Sequence, residues 1–516
     1  MNEEIAYGSR AAEFGVTISI TGIASTLIYG IIFIIMTRIL GPENYGIYAI
    51  ALGFSGLAGS VGGFGIGTFM NREAARRNGE KVNRLSYVIG TSLLLLFGFD
   101  IILSLVFFFI SPIAASIIFK KSAYSIVLYV SSISIFANVA CTAFLHGLIG
   151  YGDKKGYVIS SLSLSIFQSI FSLLLILLGY GYLGAIAGYV VGIYVSFFIS
   201  LYFIITRFHP RVKEFRNYAK RITSFSMPIM LNNILGGIAP NITLLLIGFL
   251  LGNASAGYYS IANKVFYLLS IFLAGISLSS LPLFSSLEKR RSANLQKAVY
   301  YSILLSATLV LPFSAYLSVF SKQIVAILFP SYVESYKLLF IAGPALFLQI
   351  LVISFSNILY AKGNTKGAFR ATLSSVVVSL ALLYPMLLLY GDEGAMADMF
   401  IISQLTYVLS SYRFVSEELR EVIRRIGNFK GVAISNVIMG LLFRIELLFP
   451  IHWSIALFIG LLLIIFLYPI LLPVFGTLTD GERSAVHSIL RGSKNMRLVR
   501  ILLIDAPDKL LGIEER

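Results

Sequence analysis

The sequence predicts an all-α polytopic membrane protein of fourteen transmembrane helices. Two parallel six-helix repeats form two lobes, and two further helices follow at the C-terminal side. Three observations lead there. The 516 residues are 57% hydrophobic and 12% charged, with a mean hydropathy of +0.87, whereas soluble domains carry about 25% charged residues. Apolar stretches of about 20 residues, enough to cross about 30 Å of hydrocarbon, recur along the whole chain. Finally, the stretch Leu40-Gly41-Pro42-Glu43-Asn44-Tyr45-Gly46-Ile47-Tyr48-Ala49-Ile50-Ala51 is written again as Leu251-Gly252-Asn253-Ala254-Ser255-Ala256-Gly257-Tyr258-Tyr259-Ser260-Ile261-Ala262, 211 residues later.

Both copies read L-G-x4-G-x-Y-x-I-A. The same offset carries Leu148-x3-Gly152-Asp153-Lys154-Lys155-Gly156 onto Leu359-x3-Gly363-Asn364-Thr365-Lys366-Gly367, Arg10 onto Arg221 and Phe14 onto Phe225. One constant offset without insertion argues for duplication of a long unit.

The spans read at about 16–37, 46–69, 85–109, 124–148, 157–178 and 182–205. A basic linker from Arg207 to Arg221 follows. Six more lie at about 226–250, 256–281, 298–320, 334–360, 368–390 and 395–415, and two without a repeat counterpart at about 432–449 and 453–475. The expected organisation is an N-terminal lobe over 1–211, a C-terminal lobe over 212–418, two added helices over 419–475 and a cytoplasmic amphipathic tail over 476–516. In that tail Thr479-Asp480-Gly481-Glu482 has a capping-box pattern ahead of Ala485, Val486, Ile489 and Leu490. The first span follows a charged segment without a small-residue cleavage site and reads as an uncleaved helix.

With fourteen crossings every Lys and Arg takes a side. Arg38, Lys120, Lys121, Lys322, Lys337 and Arg444 fall on one face and Lys264 within a span; the remaining 33 of the 40 fall on the other. Positive loops stay in the cytoplasm, so both termini are expected there, in a multi-pass protein of the cell membrane. The net charge of +16 thus reports topology and attraction to anionic lipid headgroups, and indicates no nucleic-acid partner. An even number of spans per repeat relates the copies by an axis along the membrane normal, with a substrate cavity near mid-bilayer and lobes that rock in alternating access.

Glycine recurs at 53, 56, 59 and 62 in the second span, then at 63, 65 and 67. Close packing of the small-x-x-x-small kind, such as Gly59 with Gly63, is one reading. A helix made bendable is the other. In the seventh span Pro228 and Pro240 free backbone carbonyls and predict irregularity, with Asn232, Asn233 and Asn241 near enough to meet exposed polar groups.

Much chemistry is excluded. The single cysteine, Cys141, is apolar in context, and His146, His209, His452 and His487 have no metal-ligand spacing, so neither metal nor cofactor is expected. Gly147 and Gly152 have phosphate-loop spacing, but Asp153 stands where that loop needs Lys. No connection is long enough for a catalytic domain. The chain does not read as an enzyme.

Thr37-Arg38-Ile39-Leu40-Gly41-Pro42-Glu43-Asn44-Tyr45-Gly46-Ile47-Tyr48, the Gly-rich helix ending Gly65-Ile66-Gly67, and Asn71-Arg72-Glu73-Ala74-Ala75 resemble the start of Wzx-type polysaccharide-biosynthesis transporters. These are oligosaccharide flippases of the MATE-like MOP superfamily. The resemblance covers residues of about 5–415. It implies movement of a polyprenyl-(pyro)phosphate-linked oligosaccharide from the cytoplasmic to the outer leaflet, with membrane lipids and glycan-assembly proteins as partners. Twelve helices is the commonest count in that branch; some relatives, lipid II flippases among them, share the additional two.

Charges inside spans are the functional leads, because a Lys or Asp at a helix centre costs about 2.5–3.5 kcal/mol on insertion scales. Lys264 sits about 10 Å inside the eighth span at 1.5 Å per residue, near Asn263, Ser260 and Tyr267. It either meets the substrate's phosphate as a point charge or snorkels to headgroups. Arg38, beside the repeated motif, reads as a basic rim for an anionic headgroup or as an ordinary interfacial arginine. With Asn263 and Asn233 these form the candidate substrate-binding set. Asp100, too deep to snorkel, is a candidate ion or proton site, or a structural hydrogen-bonding group. Arg444 and Glu446 read as a local pair. The rival function is a cation-coupled multidrug exporter of the same superfamily. Such a pump needs carboxylates in its cavity, yet the first, seventh and eighth spans have none and the tenth only Glu334 at its edge.

Overall fold

The computed structural model describes residues 2–75, 82–288, 292–449 and 452–475, and the expected tail over 476–516 lies outside the described residues. Every regular element among them is helical. The main helices are α1 (Asn2–Val61), α2 (Ile66–Ala75), α3 (Val82–Ile118), α4 (Ser125–Tyr151), α5 (Lys154–Leu175), α6 (Gly181–Phe208), α7 (Phe215–Leu251) and α8 (Asn253–Glu288). They continue as α9 (Ser292–Val319), α10 (Ser321–Leu328), α11 (Ser335–Ala361), α12 (Thr365–Ala397), α13 (Ser403–Val415), α14 (Arg420–Arg424), α15 (Phe429–Glu446), α16 (Trp453–Leu462) and α17 (Tyr468–Val474).

Nine runs among the described residues are long and apolar enough to cross a membrane. Three are too long for one crossing: Ile20–Ala75 with 56 residues, Lys154–Phe208 with 55 and Thr365–Val415 with 51, against about 20 per crossing. Each contains a glycine with non-helical backbone. Gly41 has φ 70° and ψ 172°, Gly179 has φ 92°, and Gly391 has φ 61° and ψ −142°. After Gly179 and Gly181, α6 folds back along α5. Gly188 and Gly192 there leave no room for a Cβ against the backbone of Phe171 and Gln168, and the Ser172 hydroxyl donates to the Ala185 carbonyl at 2.9 Å.

The packing divides the described chain into two compact units, the boundary falling between Ser260 and Ile261. Division by packing and division by repeat are different quantities: α7, the first helix of the second repeat, lies against α1, α2 and α3 in the first unit. The first unit's core is built from Phe69, Leu96, Phe144, Phe197 and Ile204, among others. That of the second includes Phe284, Val299, Ile303, Phe355 and Leu359. The outward face of α3 presents Ile102, Leu105, Phe109 and Ile113. Burial would favour apolar side chains there in water, but hydrocarbon accepts them as they stand. In the second unit α15 and α16 dock on α9 and α10. Phe443 packs at a tilt on Phe320 with ring centres 5.4 Å apart, the Tyr316 hydroxyl donates to the Leu457 carbonyl at 3.0 Å, and Gly460 lies against the rings of Phe320 and Tyr316.

The sequence copies carry matching local geometry. Gly152 at the end of α4 has φ 76° and Gly363 at the end of α11 has φ 67°. In the next turn the Gly156 N–H donates to Asp153 at 3.0 Å, and the Gly367 N–H donates to Asn364 at 2.9 Å. These side chains cap α5 and α12. Asp153 also pairs with Arg207. Loss of a cap costs about 1 kcal/mol, so Asn364→Ala is expected to lower the melting temperature modestly and Asp153→Ala to lower it more. Detergent-solubilised thermal unfolding checks the order, and equal shifts would mean that Arg207 adds nothing.

Several expectations change. Although Pro228 and Pro240 lie inside it, α7 is a single helix over Phe215–Leu251. Asn241 donates to the Gly237 carbonyl at 2.7 Å within it. Arg444 and Glu446 do not pair: Arg444 is exposed, while both carboxylate oxygens of Glu446 are buried without a hydrogen-bond partner among the described residues. Residues two apart on a helix point to different faces.

Candidate functional site

The two copies of the L-G-x4-G-x-Y motif meet. Gly41 and Gly252 share an extended backbone at positive φ, 70° and 93°, with ψ 172° and 177°, a conformation open mainly to glycine. Each thereby turns the chain into the next helix. A Cβ built on Gly46 would lie 1.7 Å from the Asn253 carbonyl oxygen, and one on Gly257 would lie 2.4 Å from that of Pro42. Since 253 and 257 are 42 and 46 moved by the repeat offset, the contact is reciprocal. Tyr45, Ile47, Tyr48 and Tyr259 are buried beside it.

From this clasp the second half of α1 runs antiparallel along α7. Ile50 lies against Gly248, Gly53 against Leu244, Gly56 against Asn241 and Ser60 against Gly237. The glycine period has two outcomes. Gly53 and Gly56 admit α7, and Gly67 admits the backbone of Ala143 on α4, whereas Gly59 has nothing within 4 Å. Between them, at Gly62–Gly65, the helix breaks: Gly63 has φ 69° and Phe64 φ 45°. The packing reading describes Gly53, Gly56 and Gly67; the break at Gly62–Gly65 is the place at which a bendable helix would flex.

Beyond the break α2 also packs on α7. Arg221 donates to both Glu73 oxygens at 2.9 and 2.8 Å; the Glu73 side chain is 7% exposed and that of Arg221 38%. The Arg72 guanidinium lies 4.5 Å above the Phe225 ring, which also packs on Phe69. Glu73 and Arg221, 148 residues apart, have no local sequence signal that would pair them.

Asp100 is fully buried. It stands at the middle of α3, 18 residues from either end, and its Oδ1 accepts the Gly63 N–H at 2.8 Å. Its Oδ2 is buried with no hydrogen-bond partner among the described residues. A second buried aspartate, Asp398, accepts from the Ser379 hydroxyl at 2.7 Å. Its one sequence signal is a carboxylate within an apolar span.

The remaining candidates are spread out. Asn233 lies halfway along α7 and is exposed together with Asn232. Lys264 and Asn263 are half-buried on α8, with Ser260 buried one turn earlier. Arg38 is exposed at the end of the first half of α1, three residues before Gly41. No group of three His, Cys, Asp or Glu that could hold a metal occurs among the described residues.

Residues 35–337 match the family described as polysaccharide biosynthesis protein, more than half of the chain. The chain belongs to that family. A curated relative, the probable low-salt glycan biosynthesis flippase Agl15 of Haloferax volcanii, is 26% identical over 298 residues, 56% of this chain and 59% of the relative. The match therefore spans about three-fifths of the relative's length. Among solved structures, the lipid II flippase MurJ in an inward closed conformation is similar with a TM-score of 0.70 at 16% identity, over 90% of this chain and 98% of that one. An inward-facing multidrug resistance MATE transporter of the MOP superfamily gives a TM-score of 0.64 at 18% identity, over 77% and 95%. The chain shares the fold of these two structures, and the family match agrees with the polysaccharide-biosynthesis resemblance read from the sequence.

Proposed function

We propose that this protein translocates a polyprenyl-(pyro)phosphate-linked oligosaccharide from the cytoplasmic to the outer leaflet of the cell membrane by alternating access. The family match carries this reading, and the relative named a glycan biosynthesis flippase supports it. Fourteen crossings with both termini cytoplasmic fit the same scheme. The three overlong runs each supply two crossings, and α8 and α15 supply one each beside the other six runs. The reciprocal contact of the motif copies supports the parallel repeat, with lobes of 1–211 and 212–418.

Asn232 and Asn233 lie exposed halfway along α7, inside the expected span of about 226–250. Amides there are costly against hydrocarbon and normally face the protein interior or water, which supports a polar path beside α7 that takes the sugar headgroup. Lys264, Asn263 and Arg38 complete the proposed binding set, with Lys264 meeting the phosphate. An inside-negative potential favours outward movement of an anion by about 2.3 kcal/mol per charge per 100 mV.

The exporter reading requires a carboxylate open to that path, and Asp100 is fully buried against a backbone N–H. The test is reconstitution in proteoliposomes with a fluorescent short-chain polyprenyl-diphosphate sugar. Wild type is expected to move the probe, faster with an imposed inside-negative potential, and Lys264→Ala to slow it at least tenfold. Export of a cationic dye with no movement of the probe would replace the flippase by the exporter.

A further inference from the structure

Resting on that reading, we propose that Asp100 is a positioning residue for transport. Its carboxylate pins a joint at Gly62–Gly65, so that the outer and inner arms of the second span move as two bodies.

Non-helical backbone at Gly63 and Phe64 interrupts the α-helical ladder, so that N–H groups there need other acceptors. The break lies opposite the middle of α3, where no bulk water supplies them and an unpaired backbone group is expensive. Asp100 supplies the acceptor by taking the Gly63 N–H at 2.8 Å. Its neighbour Phe99 holds the Phe64 ring edge-on, with centres 5.4 Å apart. Phe64 is at φ 45°, a conformation that an L side chain keeps only where its surroundings impose it. Two consecutive residues of α3 therefore grip the joint. Gly65, also at positive φ, lies against the Ser226 carbonyl of α7.

The arms on either side are fastened by unlike chemistry. The outer arm is held by backbone contact at Gly46 and Gly257, the inner arm by the Glu73–Arg221 ion pair. A rigid helix through both would release them together; a joint between them lets one open while the other stays shut, as alternating access requires. The second oxygen of Asp100 fits this role. It is buried with no hydrogen-bond partner among the described residues, so the carboxylate keeps one acceptor in reserve for another N–H of the joint when the bend changes.

The role needs an acceptor and no charge. Asp100→Asn, which keeps a carbonyl oxygen, is expected to transport the fluorescent polyprenyl-diphosphate sugar within threefold of wild type. Asp100→Leu and Gly63→Ala are expected to fall at least tenfold in rate while binding the same probe with unchanged affinity. Spin labels at Glu43→Cys and Ala75→Cys, in a Cys141→Ser background, report the bend directly. Wild type and Asp100→Asn should share one distance distribution, and Asp100→Leu should shift it. If Asp100→Leu does not yield folded protein, Asp100→Asn against Gly63→Ala decides the matter.

Asp100→Asn falling as far as Asp100→Leu would overturn the proposal, because charge would then be what matters. Wild-type rates and distances in Asp100→Leu would overturn it equally. Wild type moving no probe while the label distances behave as stated would refute the transport reading and leave the joint standing.

Discussion

Gly46→Ala is expected to abolish transport and to destabilise the protein, with the largest effect of a single added methyl among the described glycines. The added carbon would overlap the Asn253 carbonyl at 1.7 Å, a backbone atom that no side-chain rotation can move aside. Overpacking of this kind costs about 1–3 kcal/mol or more. Gly257→Ala should act in the same direction against the Pro42 carbonyl at 2.4 Å. Because both substitutions part the same two segments, the double variant should lose less than the sum of the singles, by about 0.5–3 kcal/mol of coupling. Gly59→Ala, with nothing within 4 Å, is the control and should behave as wild type. Transport and thermal unfolding of the four variants check this; a neutral Gly46→Ala would mean that the clasp does not exist in the membrane.

Arg221→Met is expected to be the next most damaging change. It removes the two hydrogen bonds that Arg221 donates to the Glu73 carboxylate, which is 7% exposed. Hydrogen bonds to charged groups contribute about 1.5–3 kcal/mol; the 38% exposure of Arg221 lets solvent screen the pair and places the loss near the lower end, at about 1.5 kcal/mol. Glu73→Gln should cost less, since the amide oxygen still accepts. The reversed pair Glu73→Arg with Arg221→Glu should recover part of what either reversal alone loses. The measurements are unfolding midpoints and probe transport for the set. Equal damage from Glu73→Gln and Arg221→Met would show that the charge, and not the hydrogen bonding, holds this end.

What could be read from the sequence was what backbone chemistry writes locally. The offset of 211 residues aligned Gly41 with Gly252, Gly152 with Gly363 and Asp153 with Asn364, and the structure gives each pair the same local geometry. Hydropathy found the helical runs, because an apolar stretch of about 20 residues has few other places to go. Tertiary pairing left no such mark. Nothing in either copy of the motif says that it packs on the other. Nor does any spacing link Glu73 to Arg221, or Asp100 to a glycine 37 residues earlier. The glycine period was ambiguous for a physical reason, since small residues serve both close packing and a break, and this span uses them for both. Arg444 and Glu446 were misjudged because closeness in sequence was allowed to stand for a shared helix face.

The most direct test of the transport account is a comparison of lipid-linked and finished surface glycan in cells with and without this chain. The account predicts that polyprenyl-linked oligosaccharide accumulates and surface glycan falls when the chain is absent. Both should return with wild type but not with Lys264→Ala. Unchanged glycans together with new sensitivity to cationic drugs would contradict it.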